Sequence, residues 1–157
     1  MSKPAPLSVT VSKIIPTGAD ALYDLVSDIT AMHKFSPENT EGVWLKGATG
    51  PSVGAKFKGS NQLGKAKWST KPTVTAADRG KHFAFNVPGA AGTVWSYHFE
   101  PVENGTRVTE SMSQVKASPA IIRYIQRRNG VTDRAANLSA AMTVTLDRLA
   151  ASISVPA

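Results

Sequence analysis

Side chains able to do chemistry are few in this sequence, and they are scattered. The three histidines, His33, His82 and His98, stand far apart, without the close same-face spacing that a metal asks of its ligands. They read as structural or surface residues, and no metal is expected. The absence of cysteine excludes disulfides, thiolate metal sites and thiol catalysis. No Gly-x-Ser-x-Gly elbow presents a nucleophilic serine. The glycine-rich stretch 47–54 lacks the lysine-hydroxyl pair of a phosphate-binding loop and the Gly-x-Gly-x-x-Gly order of a dinucleotide site. It reads as a strand connection, and no cofactor is expected. Asn104-Gly105-Thr106 and Asn137-Leu138-Ser139 match the glycosylation sequon, but the first reads as a turn and the second as helix interior, so both matches are taken as accidental.

Polar groups on otherwise apolar faces carry more information. Within residues 105–115, Val108, Glu110 and Met112 share one face of a period-two pattern, so Glu110 should point toward the core with them. Within residues 92–100, Thr93, Trp95, Tyr97 and Phe99 form a face far more apolar than Ser96, His98 and Glu100, and it is the inner one. The same alternation turns Ala55, Phe57, Gly59 and Asn61 inward, then Trp68, Thr70 and Val74, then Phe83, Phe85 and Val87. A lone buried carboxylate is costly unless it is paired, hydrogen-bonded or hydrated. Glu110 therefore implies a structural partner such as Tyr97, Trp68 or Asn61, a place at the sheet rim, or a wet cavity where it orients the polar end of a ligand. Burial would also raise its pKa toward the working range of a general acid or base. Glu110 and Tyr97 are thus the candidates for proton transfer, although no catalytic partner for Glu110 stands out.

The elements that must hold these residues follow from periodicity. Leu7, Val9 and Val11 alternate with Ser8, Thr10 and Ser12 in a strand that Pro16 ends. Thr17 and Asp20 have the spacing of a capping box, opening an amphipathic helix from 18 to about 28 with a second short helix closed by Pro37. Six antiparallel strands are predicted at 41–46, 54–62, 65–76, 81–87, 92–100 and 105–115, with Asn104-Gly105 at the centre of a type I′ hairpin turn. Ser118-Pro119 opens a short helix that Asn129-Gly130 closes. Thr132 and Asp133 start the last helix, whose stripe is Leu138, Met142, Leu146, Leu149 and Ile153. The order is β-α-α-β6-α with an extra short helix before the last. A seven-stranded antiparallel sheet with its helices on one side must curl around the longest helix to bury its inner face, which leaves a cavity where stripe and sheet do not meet. With 157 residues, this is expected to be a single α+β domain spanning 1–157, with a core of about 5–155.

This order resembles the helix-grip fold of the START and Bet v 1-like superfamily. In particular it resembles the bacterial SRPBCC group described as polyketide cyclase/dehydrase and lipid transport proteins. The likeness rests on Ser36-Pro37-Glu38, Trp44, Gly50-Pro51-x-x-Gly54-x-x-Phe57-x-Gly59-x-Asn61, Trp68, Trp95-x-Tyr97, Gly105-Thr106-x-Val108-Thr109 and the terminal helix. It implies a seven-stranded curved sheet wrapped around the C-terminal helix and an internal hydrophobic cavity. It does not select among the carriers, cyclases and regulatory proteins built on this fold.

The chain has 18 basic and 11 acidic residues, a net charge of +7. Lys56, Lys58, Lys65, Lys67, Lys71, Arg79 and Lys81 fall mostly on outward faces, and Arg123, Arg127, Arg128 and Arg134 flank the entry to the last helix. Neither group is interleaved with exposed aromatics or set on a reading helix, so they read as solvated faces and no specific nucleic acid is expected. Transient attraction to an anionic membrane surface is the middle reading. Residues 1–6 carry no apolar stretch of a secretory signal, and no apolar run is long enough to span a membrane, so a cytoplasmic protein is expected. The leading expectation is binding or carriage of a lipid or polyketide-like ligand. Trp68, Phe85, Trp95, Tyr97, Leu138, Met142 and Leu146 would form its apolar wall, and Asn61 and Glu110 would orient its polar end. The alternatives are a cyclase or dehydratase working through Glu110 or Tyr97, and a growth-regulating, toxin-like interaction protein acting through the basic faces.

Overall fold

The computed structural model describes residues 5–154. The absence of a secretory signal, read from residues 1–6, therefore falls partly outside the described residues. β1 (Ser8–Ile15) forms on the predicted alternation and stops at Pro16. α1 (Ala19–Ser27) follows, turning Leu22, Tyr23 and Val26 inward. Its N-cap is Gly18, with no side-chain cap, so the Thr17–Asp20 capping box does not form. The Asp20 carboxylate faces Arg79 at 3.8 Å instead, and the Thr17 carbonyl accepts the Thr106 hydroxyl at 2.7 Å, tying the start of the helix to the β-sheet. A single 3-10 turn (Met32–Lys34) leads to β2 (Asn39–Trp44). At Gly42 a Cβ would lie 2.1 Å from the Ile29 carbonyl oxygen, so only glycine lets the chain after α1 lie against β2.

β3 (Phe57–Leu63), β4 (Ala66–Thr70), β5 (Thr73–Asp78), β6 (His82–Val87), β7 (Thr93–Val102) and β8 (Gly105–Gln114) complete the strands. Among the described residues there are eight rather than seven, in sheets ordered β1-β8-β7-β6-β5 and β2-β3-β4. The predicted strand 65–76 breaks at the buried Pro72, which has no N–H to donate to a ladder. Residues before it pair with β3 and those after it with β6. The two sheets are joined where residues 54–57 run beside 72–74: the Val74 N–H donates to the Ala55 carbonyl at 2.8 Å, and the Phe57 N–H to Pro72 at 3.1 Å. Phe57 also meets Phe85 of β6 edge to face at 5.2 Å, so the seam is packed as well as hydrogen-bonded.

The β7–β8 hairpin differs from the expected type I′ turn. Val102 pairs with Gly105, which makes Glu103 and Asn104 the loop residues. Lys46 is the one described non-glycine residue with positive φ, so Asn104 does not adopt that conformation. Gly105 is required for a different reason. Its φ is 141°, and a Cβ there would fall 2.2 Å from the Ile15 carbonyl oxygen of β1.

α2 (Ala120–Arg128) begins one residue later than predicted, with Pro119 at its N-cap, because Ser118 accepts from the Gln114 amide at 3.0 Å instead of capping the helix. It ends at Asn129-Gly130, with Gly130 at a φ of 84°. α3 (Arg134–Ser154) is capped by Asp133, whose carboxylate accepts the Ala136 N–H at 3.0 Å. The α+β class, the curved antiparallel sheet and the long C-terminal helix are as expected. Leu146 and Leu149 pack with Phe83, Phe99, Val108 and the α1 residues in one apolar cluster. Leu138 and Met142 join Val9 and Met112 in another.

Candidate functional site

Between the inner strand faces and α3 lies a cavity of about 770 Å³. That is within the ~300–1,000 Å³ of pockets that enclose small organic molecules. β3 contributes Phe57, Gly59 and Asn61, β4 Trp68 and Thr70, β6 Phe83, Phe85 and Val87, and β7 Thr93, Trp95 and Tyr97. β8 adds Glu110, Met112 and Gln114, and α3 adds Leu138, Ala141, Met142 and Thr145. The structure therefore brings Asn61, Trp68, Phe85, Trp95, Tyr97, Glu110, Leu138 and Met142 around one space.

Leu146, expected on the same wall, does not reach it and packs in the core with Phe83 and Phe99. Steps of four residues overshoot a helical turn by ~40°, so by the second step from Leu138 the stripe has rotated toward the sheet. The seven-residue step instead carries the wall to Thr145, which is buried and lines the cavity. A Thr145 hydroxyl bond to the Ala141 carbonyl at 3.0 Å satisfies its polar group there.

Glu110 dominates the chemistry. β8 buries Thr106, Val108, Glu110 and Met112 in unbroken alternation, and the pairing sets Glu110 opposite Tyr97 of β7 and Val11 of β1. Its residue is only 3% exposed. The Tyr97 hydroxyl donates to Glu110 Oε2 at 2.9 Å, while Oε1 is buried with no hydrogen-bond partner. Burial pushes the Glu110 carboxyl up to about 8, against the opposing pull of the Tyr97 bond. The tyrosine is raised well above its usual value by burial and by the neighbouring carboxyl, so it remains a phenol that donates. At neutral pH the pair is uncharged: Oε2 accepts the Tyr97 hydrogen bond, and Oε1, buried without a partner in a residue that lines the cavity, is the oxygen able to carry the acid hydrogen as a donor.

Asn61 sits at the β3 wall opposite Trp68. Its Oδ1 accepts from Asn39 Nδ2 at 3.4 Å, and Asn39 Oδ1 is itself buried without a partner. Asn39 also lines the cavity and had no signal in the sequence beyond its polarity. Trp68 stands at the rim, 36% exposed.

Arg134 is corrected from solvated surface to half-buried ion pair. Its guanidinium grips Glu38 through Nη1–Oε2 at 2.6 Å and Nη2–Oε1 at 2.9 Å, with both side chains about 15% exposed. The pair ties the start of α3 to the segment before β2, across 96 residues of sequence that no local pattern spans. The histidines are also rearranged. His82 and His98 face each other across β6 and β7 on the outer side, rings stacked at 4.0 Å, and His82 Nε2 lies 2.8 Å from Ser96 Oγ. Burial, and next the His98 charge, lowers the His82 pKa. Among the described residues no group of three or more His, Asp or Glu is placed to hold a metal ion, and no helix is long and apolar enough to cross a membrane.

The family model for polyketide cyclase/dehydrase and lipid transport proteins matches residues 6–153. Solved structures share the fold. A ginseng (Panax ginseng) major latex-like protein is 15% identical, with 97% of this chain and 99% of that one covered at a TM-score of 0.71. A Chromobacterium violaceum protein is 13% identical, covering 96% and 100%, at 0.70. DynU16, from the dynemicin biosynthetic locus, is 14% identical at 0.65, with 94% of this chain matching 47% of its length. No curated protein matches the sequence.

Proposed function

We propose that this chain, which belongs to the polyketide cyclase/dehydrase and lipid transport family, holds a neutral amphipathic molecule with its polar end hydrogen-bonded by Glu110. Membership supports a fold that binds hydrophobic ligands. The observation that carries the finer reading is the orphaned Glu110 Oε1, buried in the wall of a cavity of about 770 Å³. A buried polar atom without a partner costs ~1–3 kcal/mol, which a ligand atom would recover.

The charge of that ligand follows from the lining. Its cations are Arg134, already bound to Glu38, and Lys67 on an exposed rim strand. Neither offers an anion a counter-ion deep in the cavity, and burying an unpaired anion is costly. A neutral Glu110 donates to a carbonyl, ester or ether oxygen, while Trp95, Phe85 and Met142 cover an apolar tail. Thermal unfolding of the purified chain with methyl undecyl ketone, dodecanol and dodecanoate tests this. The neutral ketone should raise the midpoint by several degrees in wild type and much less in Glu110→Leu. No stabilisation by either neutral amphiphile would overturn the proposal.

A second reading is favoured by one observation, the carboxyl held near neutrality beside the Tyr97 phenol. A residue so tuned could protonate or deprotonate a bound poly-β-ketone in a cyclisation or dehydration. Glu110→Gln should then retain binding and lose turnover of such a substrate. Unchanged turnover in that variant excludes the enzyme.

A further inference from the structure

α2 carries its apolar residues outward. None of its side chains is buried, and Ile121, Ile122, Tyr124 and Ile125 are 62%, 42%, 51% and 38% exposed. Single exposed isoleucines are ordinary, but four large apolar side chains on one nine-residue helix form a patch. Ile121, Ile122 and Ile125 also line the cavity, so the patch and the cavity mouth are one continuous surface.

The segment that carries this surface is basic, up to Asp133 at the cap of α3. From residue 111 to 132 the chain carries Lys116, Arg123, Arg127 and Arg128 and no acidic residue. The β3–β4 turn adds to them: the Lys65 N–H donates to Asn129 Oδ1 at 2.7 Å, setting Lys65 beside the end of α2, and Lys67 follows on the rim. Isoleucines and a tyrosine projecting from a short helix, with arginines at its last turn, fit an interfacial helix whose apolar side enters acyl chains while its cations meet anionic headgroups.

We propose that α2 is a membrane-docking element that seats the cavity mouth on an anionic lipid bilayer. The apolar patch supplies insertion, and Arg127, Arg128 and Lys65 supply the preference for negative headgroups. A fluid bilayer accepts these side chains without the shape-matched groove that a protein partner would need. Docking there would let a ligand pass between membrane and cavity without crossing water, and the docking itself does not depend on what the cavity holds.

Sedimentation of the full chain with vesicles tests it. Wild type should pellet with equimolar phosphatidylcholine and phosphatidylglycerol, and at least about tenfold less with phosphatidylcholine alone or in high salt. Ile121→Asp and Tyr124→Asp should each lower binding to the mixed vesicles by about tenfold or more. Arg127→Glu with Arg128→Glu should do the same. Unaltered far-ultraviolet dichroism and thermal midpoints would show each variant folded, and Tyr124 lies outside the cavity lining. Wild type left in the supernatant with mixed vesicles overturns the proposal. So does pelleting of the two aspartate variants equal to wild type, which would reduce binding to diffuse attraction by a chain of charge +7.

Discussion

Replacing Glu110 by glutamine should make the protein more stable in alkali, although it removes an acid from a hydrogen-bonded pair. The folded chain holds the Glu110 proton to about pH 8, whereas the ordinary value is 4.5. Below pH 4.5 the side chain is protonated in folded and unfolded chains alike, and it adds no pH dependence. Between 4.5 and about 8 the unfolded chain has released the proton and the folded chain keeps it. The unfolded state then binds fewer protons, so stability falls as pH rises, by ~1.4 kcal/mol per unit. The accumulated loss is roughly 3 kcal/mol at pH 7 and roughly 5 kcal/mol once the folded carboxyl ionises. Glutamine keeps the shape, accepts the Tyr97 hydroxyl through its amide oxygen and has nothing to ionise. Urea unfolding of both proteins at intervals from pH 5 to 9 would measure it, with other titrating groups such as His82 cancelling in the difference. The gap should move in favour of Glu110→Gln by several kcal/mol across that window. A difference that stays flat from pH 5 to 8 would refute the burial of an uncharged carboxyl.

Other variants separate the parts of the wall. Leu146→Ala should cost ~2–5 kcal/mol by urea unfolding, since Leu146 is 1% exposed within the packed cluster, and the folded variant should keep wild-type affinity for a cavity probe. Arg134→Met leaves the Glu38 carboxylate half-buried and unpaired and should lower stability by ~1–3 kcal/mol at neutral pH. Most of that loss should disappear in the same measurement when Glu38→Gln is added.

Alternation made the inner faces legible. The side chains of Phe57, Phe83, Tyr97 and Met112 sit where a period of two places them, because each strand has one apolar face to bury. The strand run 65–76 was not divided correctly, since a proline at an edge and a proline at a break look alike until pairing partners are known. The wall of α3 was only partly legible. Leu138 and Met142 line the cavity, but the apolar stripe and the cavity diverge by Leu146, and the polar Thr145 hides the seven-residue continuation. Contacts between distant segments left no local trace. Glu38 with Arg134, and His82 with His98, are brought together by topology; residue type alone reads Arg134 as a solvated face and the two histidines as structural or surface residues. Glu110 was legible as a misplaced polar group, and Tyr97 as one of three candidate partners; the β7–β8 register selected it.

The central claim is an open interior that takes a neutral ligand, and a fluorescence titration with the uncharged ketone dye prodan tests it most directly. Gly59 lines the cavity, and a Cβ there would meet nothing nearer than 3.9 Å, so Gly59→Leu adds a side chain to the empty space without displacing the backbone. Wild type should bind one dye per chain saturably, with blue-shifted emission, and folded Gly59→Leu should bind it at least about tenfold more weakly. Equal binding by the two proteins, or no saturable binding by wild type, would contradict the account.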